Sequence, residues 1–283
     1  MSPALTRSRR SVLLAIPLGL LLLYACLLLV ACSMQRSFMY PRSVTGELEG
    51  AFPPPPPEAE VVRLDIGDGE QVEAWYFASP QASAASPRPA VIFCHGNGEV
   101  ITDQEPYLGM YQLWDVSVLL VEYRGYGRSG GSPSQLGIAA DLDRFRDWLA
   151  ARPEVDPDHL IYHGRSLGGA AAADLAGRHP PGALVLVSTF TTMGDMFRRY
   201  FIPGSFARDR WDTRSVVESF DGPILIFHGR RDGIVPVSHG RTLASLGQNV
   251  TYHESDDNHY LPEDWMAHHW QLHGFLTEHG ILP

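Results

Sequence analysis

The sequence predicts an α/β domain: a mostly parallel central sheet, helices on both faces and a short cap segment. Three observations carry this. Short apolar runs alternate with stretches of helical periodicity from residue 90 to the C-terminus. That rhythm needs crossover connections, which give a parallel sheet covered on both sides. The residues able to do chemistry lie directly after the apolar runs, where open parallel sheets hold ligands.

Each element has its own signal. "AEVVRLDIGDGEQVEAWYFA" reads as two strands around Gly67-Asp68-Gly69, a hairpin signal. "AVIFC", 90–94, is too short for a globular helix and fits a buried strand. A helix is expected over about 99–113 and a strand over 116–123. Leu136, Ala139, Leu142, Phe145 and Leu149 recur at helical spacing, with Ser134 as cap and Pro153 closing the helix. Strands are expected at 159–163, 183–188, 223–229 and 249–253, and helices at 167–179, 237–247 and 262–279. Residues 190–220 break the rhythm and supply the cap.

The N-terminus is different in kind. Arg7, Arg9 and Arg10 precede about 20 mostly apolar residues, enough for a membrane span. The charge asymmetry places the rest of the chain on the exported side. "LVACS", 29–33, is similar to the lipobox of bacterial lipoprotein signals, with Cys32 as the lipidated residue. An uncleaved anchor is a second reading, with Cys26 and Cys32 as small membrane-buried residues, and a cleaved, soluble form is a third. Residues 1–31 are thus read as a signal or membrane anchor, 32–58 as a Pro-rich linker around five prolines, and 59–283 as the folded domain.

Composition narrows the function. A formal net charge of −10 in 283 residues argues against a nucleic-acid partner, which needs concentrated Lys and Arg. Of three cysteines only Cys94 lies in the body, so neither a disulfide framework nor a cysteine zinc site is expected. His269 and His273 stand four apart on one helix, a weak pattern for a metal pair, and no metal or organic cofactor is expected.

"HGRSLGG", 163–169, holds Gly-Xaa-Ser-Xaa-Gly between an apolar run and a small-residue helix. A strand–turn–helix elbow there exposes the Oγ of Ser166 as a nucleophile. His259 would serve as its base and Asp232 would orient that imidazole. Asp256 and Asp257 remain rival acids because they are close to His259 in sequence. Acyl transfer gathers charge on the carbonyl oxygen, so backbone N–H donors are needed. Leu167 offers one, and "HGNG", 95–98, offers the other at Asn97, with Gly98 as the alternative. His95 is expected to brace that loop. Met193, Phe197 and Tyr200 are candidate substrate contacts within an apolar cap. The bland alternative is that these residues only fix the cap to the sheet.

"HGNG", "VEYRGYGRSGGSPS", "GRSLGGA", "PILIFHGRRDGIVP" and the histidine at 259 together resemble the α/β-hydrolase superfamily over about residues 60–280. The nearest resemblance is to serine hydrolases of the BEM46-like group, kin to depalmitoylating enzymes. The resemblance implies an α/β-hydrolase fold, Ser166, Asp232 and His259 as triad, and an oxyanion hole near Asn97 and Leu167. The loop departs from the pattern in reading "GNGE" where relatives often have Gly-Asn-Ala. The expected function is hydrolysis of a small or lipid-like acyl ester or thioester at a membrane. A serine peptidase and a non-catalytic, membrane-anchored interaction protein are the alternatives.

Overall fold

Gly67, Asp68 and Gly69 take φ of 95°, 54° and 76° and turn β1 (Glu60–Gly67) back onto β2 (Glu70–Phe77). Three residues in the left-handed region explain the two glycines. The structure, a computed structural model, describes residues 4–41, 52–260 and 262–282, with the backbone alone for residues 4–15. Six further strands join the hairpin: β3 (Arg88–Cys94), β4 (Ser117–Val121), β5 (Val155–Arg165), β6 (Ala183–Val187), β7 (Ile224–Gly229) and β8 (Val250–Ser255). The sheet order is β1-β2-β4-β3-β5-β6-β7-β8. The two pairings made by β2 are antiparallel and all others are parallel.

Strand alternation divides the core into two layers. Ala90, Ile92 and Cys94 of β3 face one layer with Leu142 and Phe145 of α3 (Gln135–Ala150) and Leu175 of α4 (Leu167–Arg178). Val91 and Phe93 face the other, with Tyr107 and Met110 of α2 (Glu105–Leu113) and Leu272 and Phe275 of α8 (Trp265–Glu278). The sheet is therefore buried on both faces, as parallel strands require. Ser134 caps α3 by accepting from the Gly137 N–H, a contact that contributes about 1 kcal/mol. Between β6 and β7 the cap runs through α5 (Met193–Arg198), a 3₁₀ turn (Gly204–Phe206) and α6 (Thr213–Ser219). Then α7 (Ser238–Leu246) precedes β8.

Three segments differ from expectation. The helix expected over 99–113 is split into a 3₁₀ turn (Ile101–Asp103) and α2. Pro106 lacks an N–H and is tolerated only in a helix's first turn, so α2 starts at Glu105. Strand β5 starts at Val155, four residues before the expected 159, because Val155 pairs with Arg88 across a register shift. Finally, α1 (Ala4–Met39) runs on through residue 32. Its last turns dock on the domain: Arg36 makes a two-pronged ion pair with Asp209 at 2.8 and 2.9 Å, and Trp211 Nε1 donates to Tyr40 Oη at 3.1 Å. So residues 32–39 of the expected linker are helical, 42–51 lie outside the described residues, and the proline run tracks the domain surface. There Arg128 Nη1 donates to Pro53 O at 2.8 Å.

Burial also sets an acid limit on stability. His268 of α8 lies between Phe227 and Trp265, with ring centroids 3.9 and 5.6 Å away, and burial lowers its pKa to about 4. Between that value and the unfolded value near 6.5, the unfolded chain binds a proton that the native chain refuses. Stability therefore falls as pH drops through this window. Urea unfolding at pH 5 is expected to show roughly 2 kcal/mol less stability from this group than at pH 7. His268→Phe keeps the stacking and should remove that share of the slope; an unchanged slope refutes the assignment.

Candidate active site

Ser166 sits between the end of β5 and the first turn of α4 with φ 54° and ψ −118°. A non-glycine residue here is strained, and the turn is held from both sides. Its N–H donates to Val187 O at 2.8 Å, and its carbonyl accepts from Thr189 Oγ1 at 2.7 Å. Two glycines make the crossing physically achievable. A Cβ on Gly164 would stand 2.1 Å from Gly168 O, and one on Gly168 would stand 2.0 Å from Cys94 O. The Gly168 backbone thus abuts the carbonyls at the end of β3, which brings the 95–98 loop beside the first turn of α4.

Ser166, Asp232 and His259 come from the ends of β5, β7 and β8, and they meet. Ser166 Oγ lies 3.0 Å from His259 Nε2, and His259 Nδ1 lies 2.7 Å from Asp232 Oδ2. All three are buried. Asp232 Oδ1 accepts from the N–H groups of Ile234 at 2.9 Å and Val235 at 2.8 Å. His228 Nε2 approaches Oδ2 at 3.5 Å. Burial alone would raise the Asp232 pKa. The contacts with His228 and His259 and the Val235 N–H outweigh it and hold the carboxyl well below the usual carboxylate range. It is ionised at every pH at which the protein is expected to work. The first turn of α4 adds its positive dipole end beside Ser166.

The rival acids are engaged elsewhere. Asp256 pairs with Arg230 at 2.7 Å, and Asp257 accepts from the Glu263 N–H at 2.9 Å and contacts Ser255 Oγ. On the candidate oxyanion side, Asn97 is half-buried and Gly98 is exposed. Tyr126 Oη donates to Asn97 O at 3.1 Å, which fixes that peptide. Among the described residues, the N–H groups of Asn97 and Leu167 make no hydrogen bond. His95 braces the loop as expected: Nε2 meets Glu122 Oε1 at 2.9 Å, and Tyr123 Oη donates to His95 O at 2.8 Å. The Cys94 thiol is pushed up to about 12 by burial and offers no nucleophile.

A model of the serine aminopeptidase S33 family matches residues 85–209. An uncharacterized protein of Mycobacterium tuberculosis is 34% identical over 265 residues, covering 88% of this chain and 90% of that one. The α/β-hydrolase domain-containing protein WAV2 of Arabidopsis thaliana is 32% identical over 240 residues, 76% of each chain. The chain belongs to the α/β-hydrolase superfamily. Its group is the BEM46-like one: protein bem46 of Schizosaccharomyces pombe is 27% identical over 71% of each chain.

Solved α/β-hydrolases share the fold at low identity. An esterase of Pyrococcus furiosus matches with TM-score 0.63 at 19% identity, over 78% of this chain and 91% of that one. The ferulic acid complex of Est1E from Butyrivibrio proteoclasticus matches with TM-score 0.65 at 17% identity, over 77% and 98%. In this α/β-hydrolase the candidate substrate residues separate. Met193 is buried, and Phe197 is half-buried against the core. Tyr200 is 64% exposed and does not join them. The chain turns outward after α5, with the N–H groups of Tyr200 and Ile202 both donating to Phe197 O, and that turn carries the Tyr200 ring away. Trp211 and Phe190 are buried, so part of the cap does fix it to the sheet. His269 and His273 both face the Trp114 ring, at centroid distances of 4.5 and 5.1 Å.

Sequence reasoning passed over one network. Glu99 accepts from the Gly96 N–H at 2.8 Å and forms an ion pair with Arg165, whose Nη1 donates to His259 O at 3.2 Å. This joins the 95–98 loop, the elbow and the loop that carries His259. It also gives the departure "GNGE" a structural role. The available signal was a charged residue at each of two motif positions, Arg165 in "GRSLGG" and Glu99 after "GNG".

Proposed function

We propose that this protein is a membrane-anchored serine hydrolase that cleaves carboxylic esters or thioesters through an acyl-enzyme. The observation that carries the reading is the hydrogen-bonded chain from Ser166 Oγ through His259 to Asp232, at 3.0 and 2.7 Å, on a strained elbow. His259 Nε2 takes the Ser166 proton as Oγ attacks the acyl carbonyl. Asp232 accepts the Nδ1–H and stabilises the imidazolium. Backbone N–H groups of Asn97 and Leu167 receive the oxyanion. Collapse expels the alcohol or thiol, protonated from His259. Water, activated by the same imidazole, then releases the acid. Solved proteins of the same fold are named esterases, the activity proposed here.

Peptide hydrolysis is the second reading, favoured by the aminopeptidase description of the matching family. It asks His259 to protonate a poor amine leaving group. A fluorophosphonate probe combined with peptide mapping tests the site: the adduct is expected on Ser166. Absence of an adduct on folded protein would overturn the hydrolase reading and favour an interaction protein. Paired ester, thioester and aminoacyl-amide substrates then rank the chemistries.

The N-terminal segment supports the membrane part. The stretch Ile16–Met39 of α1 has mean hydropathy 2.4, and most of its large apolar side chains are exposed, although Met39 at its end is buried in the core. We propose that it attaches an exported domain to a membrane, by a lipid on Cys32 after cleavage or as an intact span. The mass of the mature N-terminus separates the two.

A further inference from the structure

We infer that the tip of the cap, residues 199–202, seats in a phospholipid bilayer beside α1, so that the Ser166 site takes acyl substrates from the membrane itself. The inference rests on the membrane and hydrolase readings above and adds where the substrate enters.

Phe201 has φ 59° and is 84% exposed. Glycine or asparagine is ordinary in this left-handed region, whereas a bulky aromatic side chain is an outlier there. The ring gains nothing from the core in return. Neither local conformation nor packing within the molecule accounts for a phenylalanine here, so the ring's partner lies outside the chain. The neighbouring Tyr200 is 64% exposed, and Ile234, whose carbonyl accepts from Arg199 Nη1 at 3.5 Å, is 47% exposed.

The identity of that partner comes from α1. Tyr24 Oη donates to Phe201 O at 2.7 Å, which sets the cap tip against the middle of an apolar helix. Leu20, Leu21, Leu23 and Leu27 of that helix are 57–63% exposed. Tyr24 precedes Ala31, the last residue of the proposed anchor segment, by seven residues, about 10 Å along a helix axis. Interfacial elements bury their apolar faces to about 5–10 Å. A second clamp fixes the same geometry just past Cys32. Gln35 Nε2 donates to Phe206 O at 3.3 Å, Gln35 Oε1 accepts from the Arg208 N–H at 2.8 Å, and Arg36 grips Asp209. Cleavage before Cys32 would remove the Tyr24 contact but keep this second clamp, so the cap stays tied to the anchored residue in either form. Arg199 is exposed at the tip and Arg208 beside the Gln35 clamp, both suited to lipid phosphates in a chain whose overall charge is negative.

The tip is also joined to the site. Arg199 Nη2 donates to Gly233 O at 3.0 Å, on the loop that holds Asp232. Tyr260, 64% exposed, comes directly after His259. Arg199 thus ties the cap tip to the loop that carries Asp232. The substrate class is a membrane-resident acyl ester or thioester that enters by lateral diffusion.

The test uses the full chain reconstituted in phosphatidylcholine–phosphatidylglycerol vesicles, with p-benzoyl-phenylalanine incorporated at position 201. Position 113, where Leu113 is 79% exposed, serves as control. Illumination is expected to give a phospholipid adduct at 201 and none at 113. A chain that floats with the vesicles but gives no lipid adduct at 201 overturns the inference while the anchor stands. A chain that does not float overturns both. In parallel, Phe201→Asp, a residue that tolerates positive φ, is expected to lower hydrolysis of p-nitrophenyl palmitate dissolved in the bilayer at least tenfold. Hydrolysis of water-soluble p-nitrophenyl acetate should stay within twofold. Equal loss on both substrates overturns the inference. Failure of the wild-type chain on both esters instead refutes the hydrolase reading and leaves the adduct to decide this one.

Discussion

Ser166→Ala is expected to lower kcat/KM on an activated ester by about 10⁴- to 10⁶-fold with little change in folding. The reason is geometric. Ser166 Oγ is the one nucleophilic atom within hydrogen-bond reach of His259 Nε2 among the described residues, at 3.0 Å. The elbow's other anchors belong to the backbone: the N–H to Val187 O and the carbonyl to Thr189 Oγ1. Alanine keeps both, and it carries the same positive-φ cost as serine. Thermal unfolding should therefore shift by no more than a few degrees while turnover disappears. What remains should come from the oxyanion donors and from binding, which need no Oγ. A variant that keeps more than a hundredth of wild-type activity would show that another group performs the attack.

The elbow was legible in the sequence for a physical reason. Gly164 and Gly168 leave no room for a Cβ where strand and helix cross, and such constraints appear as residue identities at fixed spacing. The strand–helix alternation was legible for the same kind of reason, since a buried parallel strand needs a short apolar run. What was illegible depends on pairing at a distance. The early start of β5 comes from Arg88 pairing with Val155. The Glu99–Arg165 bridge needs three loops to meet. Nothing local marks residues 32–39 as helical either; their helix is held by Asp209 and Trp211, more than 170 residues away. Phe201 is the sharpest case, because a phenylalanine in sequence gives no hint of a positive φ.

The choice of acid shows how nearness in sequence misleads, and it sets the other large effect. Asp256 and Asp257 lie two or three residues from His259, yet the loop after β8 turns their carboxylates to Arg230, Ser255 and the Glu263 N–H. Asp232 is 27 residues away and touches the imidazole. Asp232→Asn is expected to lower kcat about 10⁴-fold, and the direction of its amide explains why. The Oδ1 position accepts two backbone N–H groups, from Ile234 and Val235. Only the asparagine oxygen can accept there, so its NH₂ must take the Oδ2 position and point at His259 Nδ1. That NH₂ donates to Nδ1, which forces the imidazole proton onto Nε2, where it faces Ser166 Oγ. The base is then blocked by its own proton. Asp256→Asn and Asp257→Asn leave the tautomer alone and should change kcat less than threefold. Steady-state kinetics on the three variants decides the assignment. A large loss in Asp257→Asn with a mild one in Asp232→Asn would move the acid to the histidine loop.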